Sequence, residues 1–389
     1  MKEKLKLNLN LLAPIFLSMI LLAICDSVRG VFVPVLQNEF SINNTKIGIM
    51  IFVSTLGYSI FTYLGGLFCE KIGQKKVYII GFMIIFISLL LISFSPNYLV
   101  LLLGMFLINT GQAFIAIATN TIIPIVFLSI EVIIMNIAHF SYGIGSAISQ
   151  RIAGILLYSG ISWRKIYFYI AIITLFQLII IIFTKIPNLY KLEQNKKIKN
   201  KKIFKDKIIY LYIFALGFYV FSEIATGNWF VNFIEKTYHF NKSQSSYYIS
   251  LFFTVFAVGR LAGGFLLQRL NYLKTVSVSL SMALIMYTFG IFLGVKGLML
   301  ISLSGLFFSI TFPTIVLTVS KVYTENSSYV TGIVVTFASF INMILNLFMG
   351  FLNDKLGIYL TYYMIPISLS FSLIFVLLIY KNTNKLNVK

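Results

Sequence analysis

Long apolar segments recur along the entire chain, and they constrain its fold more than any other feature of the sequence. A helix needs about 20 apolar residues to cross a hydrocarbon core of about 30 Å. Because lipid offers no partners for backbone polar groups, such segments are expected to be α-helices. Twelve of them lie near residues 9–34, 46–69, 76–95, 98–128, 132–158, 163–184, 208–234, 245–268, 272–294, 297–319, 328–352 and 358–380. The sequence therefore predicts an all-α membrane protein with 12 transmembrane helices.

The composition agrees with lipid as the main solvent of the folded chain. Hydrophobic residues make up 59% of the sequence and charged residues 11%, whereas about 25% charged residues is usual in soluble domains. The net charge of +20 does not indicate nucleic-acid binding, because most of the basic residues lie between the apolar segments. Cys25 and Cys69 both fall in apolar segments, which excludes a disulfide framework.

The N-terminal segment resembles a secretory signal peptide in placing lysines before an apolar stretch. No small-residue cleavage site follows this stretch, and the charged residues Asp26 and Arg29 come next instead. We therefore expect the segment to be retained as the first span.

The lysines and arginines between the spans predict the orientation of the chain. Loops on one side hold 21 of the 31 basic residues and loops on the other side hold seven, while Arg29, Arg151 and Arg260 lie within spans. Basic loops tend to remain in the cytoplasm. We expect both termini to be cytoplasmic in a multi-pass protein of the bacterial plasma (inner) membrane.

The stretch from residue 185 to residue 207 is the one long polar segment of the sequence. It contains nine lysines and only two acids, Glu193 and Asp206. It separates an N-terminal six-helix bundle, residues 1–184, from a C-terminal six-helix bundle, residues 208–389. We interpret residues 185–207 as a basic cytoplasmic linker that also touches anionic lipid.

Four short segments resemble one another and indicate an internal duplication. Each begins with a glycine near the end of a span, at Gly66, Gly154, Gly264 and Gly350. Gly66 and Gly264 are 198 residues apart, and Gly154 and Gly350 are 196 residues apart. Such nearly equal separations are expected of a duplicated half, so the two bundles are predicted to be pseudo-symmetric.

Three-span units nested in six-span halves resemble the transporters of the major facilitator superfamily. The loop after the second span is similar to the signature loop of that family in Gly66, Glu70, Lys71, Gly73, Lys75 and Lys76. The resemblance implies a solute site near the midplane between the halves, with alternating access. An acid at a helix end can pair with basic residues or with a helix N-terminus. We interpret the loop as a conformational latch, and simple turn chemistry is the alternative.

Charged residues within spans are costly in lipid and therefore mark candidate functional sites. Asp26 and Arg29 lie three residues apart in the first span and face the same side of a helix. We interpret them as proton-coupling groups, with Asp26 taking up and releasing the proton. The alternative is an ion pair that only fixes the helix. Glu223, the one acid deep in the second half, is predicted to tune the coupling.

The seventh span carries polar residues on two faces. Asn228, Asn232 and Glu235 form one stripe, and Glu223 faces elsewhere unless the helix breaks near Gly227. Such a break is expected at a moving gate. Trp229 is interpreted either as an aromatic platform for an apolar sugar face or as a residue of the interfacial belt.

Further polar residues occur in the fourth, fifth and eleventh spans. Buried amides must find partners in lipid, so these residues either bond between helices or line a cavity for a neutral polyhydroxy solute. The candidate solute-binding residues are Asn109, Gln112, Asn120, Asn136, His139, Gln150, Arg151, Asn228, Trp229, Asn232, Asn342 and Asn346. Arg260 is expected to pair across helices in a structural role.

Segments spread over most of the chain resemble the fucose–proton symporter branch of the superfamily, which includes glucose symporters. They are DSVRGVFVPVL from Asp26, NTIIPIVF from Asn120, NIAHFSYGIGS from Asn136, SEIATGNWF from Ser222 and GRLAGGFLLQR from Gly259. The resemblance implies proton-coupled symport of a sugar, with Asp26 as the first-span carboxylate. The branch often has an acid where this chain has Ala116, which leaves coupling through that position open.

Other classes of function fit the sequence less well. A drug–proton antiporter of the same superfamily is the main alternative, but Ser149-Gln150 stands where antiporters carry Gly-Pro. Two histidines, two cysteines and no clustered acids argue against a metal site or an enzyme. A third alternative is a sensor that does not transport a solute.

We expect no cofactor other than a coupling proton or sodium ion, and we expect a small solute and the lipid bilayer as partners. We take a monomer as the default oligomeric state.

Overall fold

The computed structural model describes residues 9–127, 131–186, 206–267, 270–323 and 327–383. Within these ranges the regular structure is helical and contains no strand. The helices are α1 (Leu12–Phe40), α2 (Asn44–Ile72), α3 (Gln74–Ser93), α4 (Tyr98–Val126), α5 (Glu131–Tyr158), α6 (Trp163–Phe183), α7 (Lys207–Tyr238), α8 (Lys242–Leu267), α9 (Tyr272–Phe292), α10 (Leu298–Phe308), α11 (Thr311–Val322), α12 (Ser327–Leu356), α13 (Ile358–Thr361) and α14 (Met364–Thr383).

The twelve predicted spans are confirmed in this part of the chain. The tenth span consists of α10 and α11, the twelfth consists of α13 and α14, and each other span is a single helix. Eleven of the spans are long and apolar enough to cross a membrane by length and composition. The remaining span is α5, which carries polar residues such as Asn136, Gln150 and Arg151. The expected all-α membrane fold is therefore correct.

The chain divides into two compact units. The first unit comprises Met1–Ser41 and Met50–Asn195, and the second comprises Ile42–Ile49 and Lys196–Lys389. The start of α2 thus groups with the second unit. Most of the predicted linker, residues 187–205, lies outside the described residues.

The helices pair in the same pattern within each unit. In the first unit α1 packs against α5 and α6, and α3 packs against α4 and α6. In the second unit α7 packs against α12 and α14, and α9 packs against α10 and α14. In the second unit α10 belongs to the tenth span, α12 is the eleventh span and α14 belongs to the twelfth. Each pair of spans in the second unit therefore corresponds to a pair in the first unit whose span numbers are lower by six, as expected for a duplicated half.

The repeated segments also share a backbone conformation. Gly73, Gly160 and Gly357 follow the ends of α2, α5 and α12 with φ angles of 85°, 85° and 80°. Only glycine adopts this left-handed region at little cost, which explains its place at these turns. The repeat is therefore one of structure as well as of sequence. Part of the segment that begins at Gly264, residues 268 and 269, lies outside the described residues.

A close approach of α1 and α5 brings together the polar residues of the first unit. A Cβ atom on Gly145 would lie 2.8 Å from the Ile20 carbonyl oxygen and 3.0 Å from the Ala23 Cβ. The Ser27 hydroxyl donates to the Ser146 hydroxyl at 2.9 Å across the same contact. Small residues allow this close packing, as is common between helices in membranes.

The tenth span is interrupted between Phe308 and Thr311 for an identifiable reason. Pro313 has no backbone N–H, so the Ser309 carbonyl lacks the donor that a helix would supply four residues later. Arg260 of α8 supplies one instead, because its Nε donates to this carbonyl at 3.2 Å. The guanidinium also lies over the Phe256 ring, 4.5 Å from its centroid. The expected structural role of Arg260 between helices agrees with these contacts.

The tight contact at Gly145 leads to a prediction about stability. Gly145→Ala forces α1 and α5 apart, and we expect it to lower the free energy of unfolding by about 1–3 kcal/mol. Gly332→Ala is the matched control, because a Cβ there meets nothing within 4 Å and alanine favours a helix by about 1 kcal/mol. Thermal unfolding in detergent measures both. Equal stability of the two variants would contradict the packing argument.

Candidate functional site

Asp26 and Arg29 form an ion pair on α1 within the first unit. Arg29 Nη2 lies 3.3 Å from Asp26 Oδ1, and the side chains are 7% and 25% exposed, respectively. The Tyr142 hydroxyl of α5 donates to Asp26 Oδ2 at 3.3 Å. The predicted i, i+3 pairing is therefore present, and Asp26 is partly exposed. The bond from Tyr142 was not foreseen from the sequence.

Two further tyrosines lie near Asp26. Tyr58 of α2 and Tyr167 of α6 both lie within electrostatic range of Asp26. The Tyr167 hydroxyl is buried and has no hydrogen-bonding partner in the described part of the chain. A buried hydroxyl without a partner near a carboxylate is a suitable setting for a polar solute or a water molecule.

Several amides of the first unit also have unused hydrogen-bonding capacity. Gln112 Nε2 on α4 and Gln150 Oε1 on α5 are buried without a partner among the described residues. Asn109 is buried too, but its Nδ2 donates to the Met105 carbonyl of its own helix at 3.1 Å. Buried amide atoms that lack partners are costly, so among the candidate amides of this unit Gln112 and Gln150 are best prepared to bind a solute.

The other predicted residues of the first unit are less enclosed. Asn120 and Asn136 are exposed on α4 and α5, and His139 and Arg151 are half-buried on α5. The residue that precedes Asn120 by one turn is the half-buried Ala116. These positions remain predictions as solute-binding residues.

The second unit contains a different arrangement around Glu223. The Tyr219 hydroxyl, one turn earlier on α7, donates to the Phe308 carbonyl at 2.6 Å. The Glu223 carboxyl lies within electrostatic range of Tyr219 and of Arg260. Glu223 is partly exposed. Glu223 thus lies near the two side chains that bond to the interrupted tenth span, a placement that the sequence did not reveal.

The suggested break of α7 near Gly227 is wrong. The helix is continuous from Lys207 to Tyr238, because a single glycine costs a helix only about 1 kcal/mol and close packing on α12 and α14 offsets this cost. Glu223 therefore faces away from the stripe that Asn228, Asn232 and Glu235 form, as the helical spacing requires.

The amides of that stripe bond within the second unit. Trp229 is fully buried, and its Nε1 donates to Asn346 Oδ1 of α12 at 3.2 Å. Asn346 Nδ2 donates to Asn342 Oδ1 at 2.7 Å. Asn232 Nδ2 donates to Asn44 Oδ1 at 3.3 Å, while its own Oδ1 is buried without a partner among the described residues. Asn228 is buried as well.

The residues of the predicted latch lie at the end of α2 and the start of α3. Glu70, Lys71 and Lys76 are exposed, and Lys75 Nζ donates to the Ile182 carbonyl of α6 at 2.8 Å. Gly73 provides the left-handed turn. A Cβ on Gly66 would meet no atom within 4 Å. The latch remains a prediction.

Two polar clusters were missed by the sequence analysis. In the first unit Glu39 accepts hydrogen bonds from Arg164 Nε at 2.9 Å, from Arg164 Nη2 at 2.7 Å and from Trp163 Nε1. In the second unit Asp354 accepts from the backbone N–H groups of Asn44 and Thr45 at 2.9 and 2.7 Å and caps α2. Such contacts join residues more than 100 positions apart, so no local pattern indicates them.

Asp206 provides a further contact outside the spans. Its Oδ1 accepts from the Ile208 N–H at 2.9 Å, which caps α7, and its Oδ2 accepts from the Tyr323 hydroxyl at 2.7 Å. Burial and the neighbouring carboxylate raise the pKa of Tyr323, so this hydroxyl keeps its proton at neutral pH. In the described part of the chain no three metal-ligating side chains come together.

The bond from Trp229 to Asn346 yields a prediction. Asn346→Leu leaves a buried indole N–H without an acceptor, and we expect a loss of about 1–3 kcal/mol in stability. In a Trp163→Phe background Trp229 is the only tryptophan, and its emission is expected to shift to shorter wavelength. Asn120→Leu, at an exposed asparagine, is the control. Unchanged emission and unfolding temperature in Asn346→Leu would contradict the assignment.

Comparisons with known proteins support this architecture over nearly the whole chain. The L-fucose-proton symporter of Escherichia coli (strain K12) is 23% identical over 397 residues, which cover 91% of this chain and 89% of that protein. A protein named TsgA homolog from Buchnera aphidicola subsp. Baizongia pistaciae (strain Bp) is 26% identical over 315 residues, or 80% of each chain. The crystal structure of a D-xylose-proton symporter shares the fold with a TM-score of 0.80 at 13% identity, covering 97% of this chain and 98% of that one.

The family itself follows from a match to its sequence model. The model of the Major Facilitator Superfamily matches residues 15–340 and 230–388, which agrees with twelve spans and a duplicated half. The expected resemblance to the fucose–proton symporter branch is confirmed as a similarity. The chain belongs to the major facilitator superfamily and is a multi-pass membrane transporter, not an enzyme.

Proposed function

We propose that this protein takes up a small, neutral, sugar-like solute by proton-coupled symport with alternating access. The observation that carries the proposal is the Asp26–Arg29 pair, a carboxylate and a guanidinium 3.3 Å apart within a membrane-spanning helix. Charged residues within membrane-spanning helices are costly and usually have a function. Asp26 is the group that takes up and releases the proton, and Arg29 tunes it.

The chemistry of the remaining polar residues favours a neutral solute. Gln112 Nε2, Gln150 Oε1 and the Tyr167 hydroxyl are among the buried polar atoms of the first unit that have no partner in the described part of the chain. They offer both donors and acceptors and no net charge, which suits the hydroxyl groups of a sugar. The printed names of the relatives, an L-fucose-proton symporter and a D-xylose-proton symporter, support the same class of solute.

The membrane and the orientation of the protein are proposed from the basic loops. We place the protein in the bacterial inner membrane with both termini in the cytoplasm, because the lysine-rich side of the chain is retained there. The coupling ion is the proton, with sodium as the second choice, and no other cofactor takes part. The partners are the solute and the bilayer, and the protein acts as a monomer without nucleic acid.

The proposal is tested in liposomes that contain the purified protein. We expect one member of a panel of hexoses and deoxyhexoses to evoke an inward positive current without sodium, and we expect the current to fall as pH rises. Asp26→Asn is expected to abolish uphill uptake and to leave downhill exchange, because asparagine keeps the shape of aspartate but cannot bind a proton. Asp206→Asn, outside the spans, is the matched control and is expected to transport normally.

Two outcomes would overturn this function. Uphill uptake that persists in Asp26→Asn would remove Asp26 from its role. Silence with every sugar, together with proton movement driven by a cationic drug, would identify a drug–proton antiporter instead.

The latch makes a separate prediction about conformation. Glu70→Ala removes the acid that is proposed to hold the inward side closed, so we expect inward-open states to become more populated. The measurement is labelling of single cysteines from each side of the membrane, in a variant that lacks Cys25 and Cys69. Lys165→Ala, which removes an exposed charge elsewhere, is the control. Identical labelling of the two variants would exclude the latch.

A further inference from the structure

Asp354 is bound to the first turn of α2 by four hydrogen bonds. Its Oδ1 accepts from the Asn44 N–H and from Asn44 Nδ2, each at 2.9 Å. Its Oδ2 accepts from the Thr45 N–H at 2.7 Å and from the Thr45 hydroxyl at 2.6 Å. Asp354 lies near the end of α12, 310 positions along the chain from Asn44. Both oxygens of one carboxylate are thus bonded to a helix that is remote in sequence.

The start of α2 also has a cap of its own. The Lys46 N–H donates to Asn43 Oδ1 at 3.0 Å, and the Ile47 N–H donates to the Asn43 carbonyl at 3.3 Å. Asparagine is a preferred residue at this position of a helix. The N–H groups of a first helical turn can otherwise bond to water. The bonds to Asp354 therefore do more than begin a helix, because they join α2 to α12.

Close packing continues this contact one turn further along both helices. A Cβ atom on Gly350 would lie 2.5 Å from the Asn44 carbonyl oxygen, and a Cβ atom on Gly48 would lie 3.1 Å from the Asn346 carbonyl oxygen. Small residues allow the backbones of membrane helices to approach in this way. The hydrogen bonds of Asp354 and the contact between the two glycines thus form one continuous interface of α2 with α12.

The interface holds only the beginning of α2 to the second unit. The helix is continuous from Asn44 to Ile72, yet its residues up to Ile49 group with the second unit and those from Met50 group with the first. In a chain of twelve spans, α2 begins and α12 ends on the membrane side opposite to the N-terminus. Since a continuous helix moves as one piece, α2 can follow a movement of the first unit on this side only if Asp354 releases it.

The bonds to Asp354 are well suited to being broken and formed again. Asp354 is exposed, and Asn44 and Thr45 are half-buried. Water can therefore bind the carboxylate and the N–H groups when they separate, so each bond contributes little net free energy. The contact is specific in its geometry when it is closed, and it costs little to open.

The sequence repeat gives Asp354 a counterpart in the first unit. Asp354 follows Gly350 by four residues, and Glu70 follows Gly66 by four residues. In both segments a glycine with a positive φ angle comes three residues after the acid. The two acids therefore occupy equivalent positions at the ends of α12 and α2, which lie on opposite sides of the membrane.

We propose that Asp354, Asn44 and Thr45 form a releasable latch, the Asp354 latch, which must open when access to the solute changes on the side opposite to the termini. The proposal rests on the proposed alternating access for its physiological meaning. It goes beyond that function by assigning a conformational role to Asp354, whereas the sequence predicted a latch only at the loop of Glu70.

The bonds are tested by hydrogen–deuterium exchange of the purified full-length protein without solute. We expect the N–H groups of Asn44 and Thr45 to be protected in the wild type. Asp354→Asn is expected to speed their exchange by about tenfold or more, because asparagine places an NH2 group where an acceptor oxygen was. Asp206→Asn, which changes the carboxylate that caps α7, is the matched control and is expected to leave α2 unchanged.

The release of α2 is tested by pulsed electron paramagnetic resonance between two spin labels. The labels are attached to Lys46→Cys and Lys296→Cys, at two exposed lysines, in a protein that lacks Cys25 and Cys69. We expect one dominant distance with the latch intact. Asp354→Asn is expected to add a second, longer distance, because the start of α2 leaves the second unit.

A pair of glycine variants on α12 tests the same opening with the carboxylate in place. Gly350→Ala is expected to add the longer distance as well, because its Cβ has no room beside the Asn44 carbonyl. Gly332→Ala is the matched control, because a Cβ there meets nothing within 4 Å, and it is expected to keep one distance.

Two results would overturn the inference. Unchanged exchange in Asp354→Asn would refute the bonds, and faster exchange without a second distance would reduce Asp354 to a static cap. If Asp354→Asn fails to fold, Thr45→Val, which removes one of the four bonds, decides in the same two measurements. Because no solute is present, failure of the sugar currents would refute the proposed function and leave this result standing.

Discussion

Lipid offers no hydrogen bonds, and every polar group that this chain places within the membrane must find its partner in the protein. The tenth span shows the consequence most directly. Pro313 removes one N–H, the Ser309 carbonyl is left without its helical donor, and Arg260 of a neighbouring helix supplies the missing bond. A single residue without an amide hydrogen thus explains an arginine within a span and a helix interruption together.

The same constraint separates the two membrane-embedded acids. A charge in lipid is tolerated when an opposite charge and hydrogen-bond donors accompany it. Asp26 has both in Arg29 and Tyr142. Glu223 has a tyrosine whose hydrogen is already committed and an arginine that is held elsewhere. The two acids therefore differ in the donors that the described residues offer them.

What the sequence could predict follows from the range of each interaction. The spans, the duplication and the pairing of Asp26 with Arg29 depend on local spacing, and the structure agrees with them. The bonds from Tyr219 to Phe308 and from Trp229 to Asn346 join residues about 90 and 120 positions apart, and no local pattern encodes them. The suggested break at Gly227 failed for a related reason, because packing between distant helices outweighs the weak helix propensity of one glycine.

Unused hydrogen-bonding capacity gives a physical criterion for ranking the candidate solute-binding residues. Asn346 donates to Asn342 and accepts from Trp229, so a solute would have to displace protein bonds of similar strength and would gain little. Gln112 and Gln150 hold buried atoms without partners among the described residues, so a solute hydroxyl there removes an existing cost. By this criterion Asn342 and Asn346 stabilise the second unit, whereas Gln112 and Gln150 are suited to a solute, although the sequence presents all four as one class.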